Sequence, residues 1–123
     1  MRKEMENRLI DFAVMLCDLC ENLDKGFIGT HLVNQLIRSG TSAALNYAEA
    51  QSAESRKDFI HKTSIVLKEL RETGYNLAII QKSNIFYDSA KIQAALDECQ
   101  QLISIFYKSV ETARKNGQAE TRK

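Results

Sequence analysis

Four stretches of the chain carry apolar residues at helical spacing, and polar stretches separate them. The first runs from about Glu4 to Leu23. Leu9, Ile10, Phe12, Ala13, Leu16, Cys17, Leu19, Cys20 and Leu23 form its apolar side. At about 100° per residue they cover roughly half the circumference, whereas a helix packed on one neighbour needs a stripe only ~100° wide. The excess predicts burial on two sides, either deep in a bundle or against another subunit. Asp11, Asp18, Glu21 and Asn22 fill the opposite side, and Gly26 and Gly29 in "ENLDKGFIGT" read as stop signals. The second helix is expected from an N-cap at Thr30 to near Ala50. Val33, Leu36, Ile37, Gly40, Ala43, Ala44, Tyr47 and Ala48 form its inner face. A mid-helix glycine costs roughly 1 kcal/mol relative to alanine. Gly40, Ala43, Ala44 and Ala48 therefore predict close approach of a neighbouring helix, within the bundle or across a subunit boundary.

The third helix is expected from Ser55, with Asp58 completing a shortened capping box, to near Lys82. Phe59, Ile60, Thr63, Val66, Leu67, Leu70, Gly74, Leu77 and Ala78 make its stripe. After the "KSNIFYDSA" turn, with Asp88 or Ser89 as N-cap, the fourth helix runs from about Ala90 to Asn116. Ile92, Ala95, Leu96, Cys99, Leu102, Ile103, Phe106, Tyr107 and Val110 line its inner side. Residues 116–123 read as a polar, flexible tail. The pattern predicts an all-α fold, an antiparallel up-down-up-down four-helix bundle in one domain over 1–123. Turn signals between the stretches argue against one continuous coiled coil.

Composition sharpens this picture. The 123 residues include no proline, the commonest helix breaker, so long helices with short links are favoured. Three cysteines, an odd number, argue against a secreted disulfide framework. "MRKEMENRLIDF" is too polar for a signal peptide, and no apolar run approaches the ~20 residues that span a bilayer. A soluble cytoplasmic protein without a membrane partner is expected. Seventeen basic against sixteen acidic residues leave a net charge of +1, so no global attraction to nucleic acid follows.

Candidate chemistry is sparse. Cys17 and Cys20 form a CxxC, but mid-helix on an apolar face rather than opening a helix after a strand, so both read as core cysteines. Asp58 and His61 form one DxxH, where a di-iron bundle needs two Glu-x-x-His pairs and two further glutamates. No glycine-rich phosphate loop or nucleophile elbow is present. No catalytic residue, metal or cofactor is expected. Charge is uneven, however. Residues 55–82 hold six bases and three acids, a net +3, against four bases and six acids in residues 1–25. Lys57, His61, Lys68, Arg71 and Lys82 fall within about 80° of one another on the third helix, a basic stripe suited to a phosphate backbone or an ordinary solvated face. On the second helix, Arg38, Ser42, Asn46 and Glu49 recur at helical spacing beside the small residues. With antiparallel neighbours, Arg38 should approach Glu69 or Glu72, and Asn46 and Glu49 should approach His61, Lys62 and Ser64. Such a network would fix the register of the two helices.

The stretch "QLIRSGTSAALNYAEAQSAESRKDFIHKTSIVLKELRETGYNLAI" resembles the four-helix-bundle family named for the ribosomal-RNA intervening-sequence protein. Arg38, Ser42, Asn46 and Glu49 match the family's helix 2 pattern. Lys57, Asp58 and Phe59 match the start of its helix 3, and Glu69, Glu72, Thr73 and Leu77 match the end. Asn76 stands where an aromatic, often Trp, is usual, and Ala50 replaces a frequent glycine. The resemblance implies a four-helix bundle that assembles as a homopentameric ring, with a link to RNA. A relative, the accessory variability protein of diversity-generating retroelements, is similar to a ring that binds nucleic acid and a reverse transcriptase. Two functions are therefore expected. One is a non-catalytic oligomer that binds RNA or a nucleic-acid-handling protein through the basic stripe. The other is a protein-interaction scaffold with no nucleic-acid role.

Overall fold

The computed structural model of the chain describes residues 2–21, 23, 26–83, 85 and 88–121, side chains included as far as Gly117. Four helices follow one another: α1 Arg2–Glu21, α2 Phe27–Gln51, α3 Arg56–Ser83 and α4 Ser89–Thr121. Each packs on its two neighbours in cyclic order, α1 on α2, α2 on α3, α3 on α4 and α4 on α1. This is the expected antiparallel bundle. Its centre is a continuous cluster of Leu9, Phe12, Leu16, Leu36, Leu70 and Leu102 with their neighbours, and Phe106 meets the half-buried Tyr47 edge-on at 5.5 Å between ring centres.

Helix ends differ from expectation in instructive ways. α2 starts at Phe27, three residues before Thr30, with Gly26 as an N-cap that makes no side-chain hydrogen bond. Gly29 is buried inside α2 and stops nothing. Ser55 caps α3 as expected, its Oγ accepting from the Asp58 amide at 3.0 Å. Asp88 is the cap of α4, its carboxylate accepting from the Lys91 amide at 3.2 Å. α4 continues past Asn116 to Thr121, so much of the expected tail is helical; Arg122 and Lys123 lie outside the described residues. So do Asn22, Asp24 and Lys25 of the first turn, and Asn84, Phe86 and Tyr87 of the turn before α4.

The inner faces are rotated slightly from the expected ones. α2 buries Leu32, Leu36, Ser39, Gly40 and Ala43, while Val33, Ile37 and Ala44 lie at the margin. Ala48 is exposed, so it is not a helix-contact residue of this bundle. Gly40 is one. A Cβ there would collide with Leu16 Cδ1 of α1, so the close approach lies inside the bundle. Cys17 is also exposed, contrary to its core reading, and Tyr107 points outward from α4. On α1, Ile10, Val14 and Cys17 remain uncovered, so this chain by itself buries only one side of the wide apolar face. Among the described residues no helix is long and apolar enough to cross a membrane.

Candidate nucleic-acid interface

The polar seam between α2 and α3 decides which side of α3 is left for anything else. Arg38 Nη2 donates to Glu72 at 2.5 Å, and its Nη1 donates to Glu69 at 3.3 Å. These carboxylates hold the Arg38 guanidinium above its ordinary pKa, the Glu72 hydrogen bond contributing most. Lower in the seam Lys62 Nζ donates to Glu49 at 2.8 Å, which raises the lysine's pKa in the same way. The expected Arg38–Glu69/Glu72 and Glu49–Lys62 encounters are therefore present. Asn46 behaves differently from expectation: its Nδ2 donates to the Ser42 carbonyl of its own helix at 2.8 Å rather than across the seam. Ser42 thus contributes a main-chain acceptor.

The seam has a deeper member that the polar pattern of α2 did not reveal. The buried Ser39 and Thr73 hydroxyls lie 2.8 Å apart, and Thr73 donates to the Glu69 carbonyl at 2.8 Å. Each sits three residues after and four before a core residue, between Leu36 and Ala43 and between Leu70 and Leu77. That phase was the available signal. Buried hydroxyls need partners, and this pair provides them across the two helices. A second unforeseen fastening joins α1 to α4, where Arg8 grips Glu98 through Nε at 2.9 Å and Nη2 at 2.7 Å. The Glu98 hydrogen bonds raise the arginine's pKa. These contacts fasten neighbouring helices to one another and fix their register.

Because Glu69 and Glu72 turn toward Arg38, the outward side of α3 is left to its cations. Lys57, His61, Lys68, Arg71 and Lys82 are all exposed on that side. Lys68 lies 4.0 Å from Glu72, too long for strong neutralisation in water. Among the described residues Lys57, Arg71 and Lys82 have no ion-pair partner. At 1.5 Å per residue the stripe is about 38 Å long. Tyr75 belongs to it as well. Four residues after Arg71, it falls at the stripe's centre on the helical wheel and is 75% exposed. A search confined to charged residues passes over it.

Other candidates reduce to packing. Cys99 is buried, donates to the Leu70 carbonyl at 3.2 Å, and is pushed up to about 12 by burial. Burial also pushes the Cys20 thiol up to about 11. Such thiols stay protonated and inert near neutral pH. Among the described residues no three of His, Cys, Asp and Glu gather as a metal site, and Asp58 and His61 have no partners for one.

The sequence profile of the 23S rRNA-intervening sequence proteins matches residues 3–108. Among solved structures, the chain is similar to a protein of unknown function from the S23 ribosomal protein family of Bacteroides thetaiotaomicron. The TM-score is 0.76 at 29% identity, over 85% of this chain and 96% of that one. No curated protein matches. The matches indicate no enzymatic family.

Proposed function

This chain belongs to the family of 23S rRNA-intervening sequence proteins, and from that premise we propose that it is a non-catalytic, oligomeric bundle that binds RNA through the outer face of α3. One observation carries the reading: Lys57, His61, Lys68, Arg71 and Lys82 are all solvent-facing on one side of one helix, with the nearby acids drawn toward Arg38. A chain of net charge +1 does not attract polyanions as a whole, so affinity has to come from this local concentration of charge. A ring of about five subunits, the assembly that the family resemblance implies, would repeat the stripe and multiply its effect. The uncovered Ile10, Val14 and Cys17 supply an apolar surface for such an assembly.

The test is binding of structured RNA to the full-length protein as salt is varied. Affinity should fall steeply from low to physiological salt, as phosphate contacts release counterions. Lys68→Glu with Arg71→Glu should reduce low-salt affinity by at least about tenfold. Absence of binding at low salt, or indifference to the double change, refutes the reading. The exposed Phe27, Ile28 and Leu45 on α2 favour the second function, a protein-interaction scaffold. Its signature is a partner retained at high salt with no RNA accompanying it.

A further inference from the structure

The α3–α4 seam is lined differently from a simple phosphate track. Tyr75 of α3 and Tyr107 of α4, 75% and 50% exposed, face one cleft of about 390 Å³. Lys68, Arg71 and Arg114 line the same cleft. An adjoining cleft of about 350 Å³ shares Arg71 and Tyr75 with the first and is floored by Gly74 and Ala78, whose small side chains leave it open. Both volumes lie in the range of small-ligand clefts, ~300–1,000 Å³. Tyr75 therefore stands between two hollows, with cations beside it.

Resting on the RNA-binding reading above, we infer that this seam takes unpaired RNA, its bases stacking on Tyr75 and Tyr107 and its phosphates meeting Lys68, Arg71 and Arg114. The first argument is the spacing of charge. Between Arg71 and Lys82 the outward side of α3 has a cation-free gap of about 16 Å, and Tyr75 and Ile79 occupy it. A duplex presents phosphates continuously and hides its base faces, so exposed rings in that gap gain nothing from it. Unpaired bases offer a face to each ring, and such stacking does not depend on sequence. The second argument is the cleft's acids. Glu72 and Glu111 also line it. A carboxylate repels a phosphate, but it accepts hydrogen bonds from the amino groups on exposed base edges. Glu72 is already engaged by Arg38, which leaves Glu111 for that role. Rings, cations and a carboxylate together match an unpaired nucleotide better than a phosphate ridge.

The test measures affinity of the full-length protein for two probes at one low salt concentration: a short unstructured RNA oligonucleotide and an RNA duplex of equal length. The single strand should bind more tightly. Tyr75→Leu with Tyr107→Leu should weaken it by at least about tenfold with little change for the duplex, and the corresponding phenylalanine pair should restore most of the loss. The chain has no Trp and four Tyr, so quenching of intrinsic tyrosine fluorescence on binding that is lost in the phenylalanine pair reports stacking on Tyr75 and Tyr107, and serves even if the leucine pair folds poorly. Tighter duplex binding, an unaffected leucine pair, or unquenched tyrosines would overturn the inference. If Lys68→Glu with Arg71→Glu still abolishes binding in that event, the RNA-binding reading survives alone. A wild-type protein that binds neither probe overturns both.

Discussion

Ser39 and Thr73 show how much of the bundle's specificity rests on single hydroxyls. Thr73→Val removes the partner 2.8 Å from Ser39 Oγ and leaves it only the Leu36 carbonyl at 3.3 Å. The expected cost is about 1–2 kcal/mol by urea unfolding. Ser39→Ala should cost less, because Thr73 keeps its bond to the Glu69 carbonyl. Cysteines supply a second prediction. In the single chain Cys17 is exposed, whereas Cys20 and Cys99 are buried, so a thiol reagent at neutral pH should modify one cysteine in a folded, dissociated chain and three in denaturant, and none where an assembly covers Cys17. The buried pair also sets a pH dependence. Their folded-state values, about 11 and about 12, lie above the ordinary 9.0. The unfolded chain releases these protons first, so stability is intact below about pH 9 and falls as pH rises toward 11–12. Cys99→Ala should flatten that decline in urea midpoints, without abolishing it, since Cys20 remains. Residues of this kind were half legible in the sequence. Arg38 with Glu69 and Glu72 could be read from polar spacing. Ser39 and Thr73 were passed over and Cys17 was misjudged, because a single residue's exposure depends on a few tens of degrees of helix rotation, which apolar spacing alone does not fix.

Gly40 and Gly74 form a contrast at the level of helices. Both interrupt long helices, where glycine normally costs ~1 kcal/mol relative to alanine. At Gly74 a Cβ would sit 3.5 Å from Cys99 Sγ, an ordinary contact, so Gly74→Ala should stabilise by about 0.5–1 kcal/mol. At Gly40 the added methyl would collide with the Cδ1 of Leu16, which is buried and must shift within the packed core. Gly40→Ala should therefore destabilise by about 1–3 kcal/mol, and Leu16→Ala in the same chain should make the Gly40 change nearly harmless. Thermal unfolding of the wild type, the two single variants and the double variant checks the cycle. The helices themselves were the most legible feature, because long apolar periodicity without proline leaves few alternatives. Their ends were less so. α2 begins at Phe27 on a glycine cap and buries Gly29 in its first turn; a stop signal read from residue type could not anticipate that. The α1–α4 seam, fastened by Arg8 and Glu98, was invisible for a different reason. The partners are ninety residues apart, and no local pattern links them.

On the scale of the whole molecule, the surplus apolar surface is the fact that needs an explanation. Ile10, Val14 and Cys17 fall within about 60° of one another on α1 and face away from Leu9, Phe12 and Leu16, which fill the core. They are not residues in search of a better packing within the chain, since the core is complete without them and Gly40 already brings α1 and α2 as close as Leu16 allows. In the proposed ring a second copy covers them. If the protein forms the proposed ring, light scattering should give close to five times the 14.0 kDa chain mass at micromolar concentration. Ile10→Glu with Val14→Glu, two exposed changes that leave the core untouched, should return it to the mass of one chain while its helical circular dichroism persists. The same variant separates assembly from binding. Five stripes on one ring act with an effective concentration that one stripe lacks, so the dissociated protein should lose far more RNA affinity than its unchanged cations would predict. An intact oligomer in the double variant would place the interface elsewhere. A wild-type protein that stays a single folded chain at high concentration would leave α1's outer face without a partner and the shared cationic surface without a scaffold.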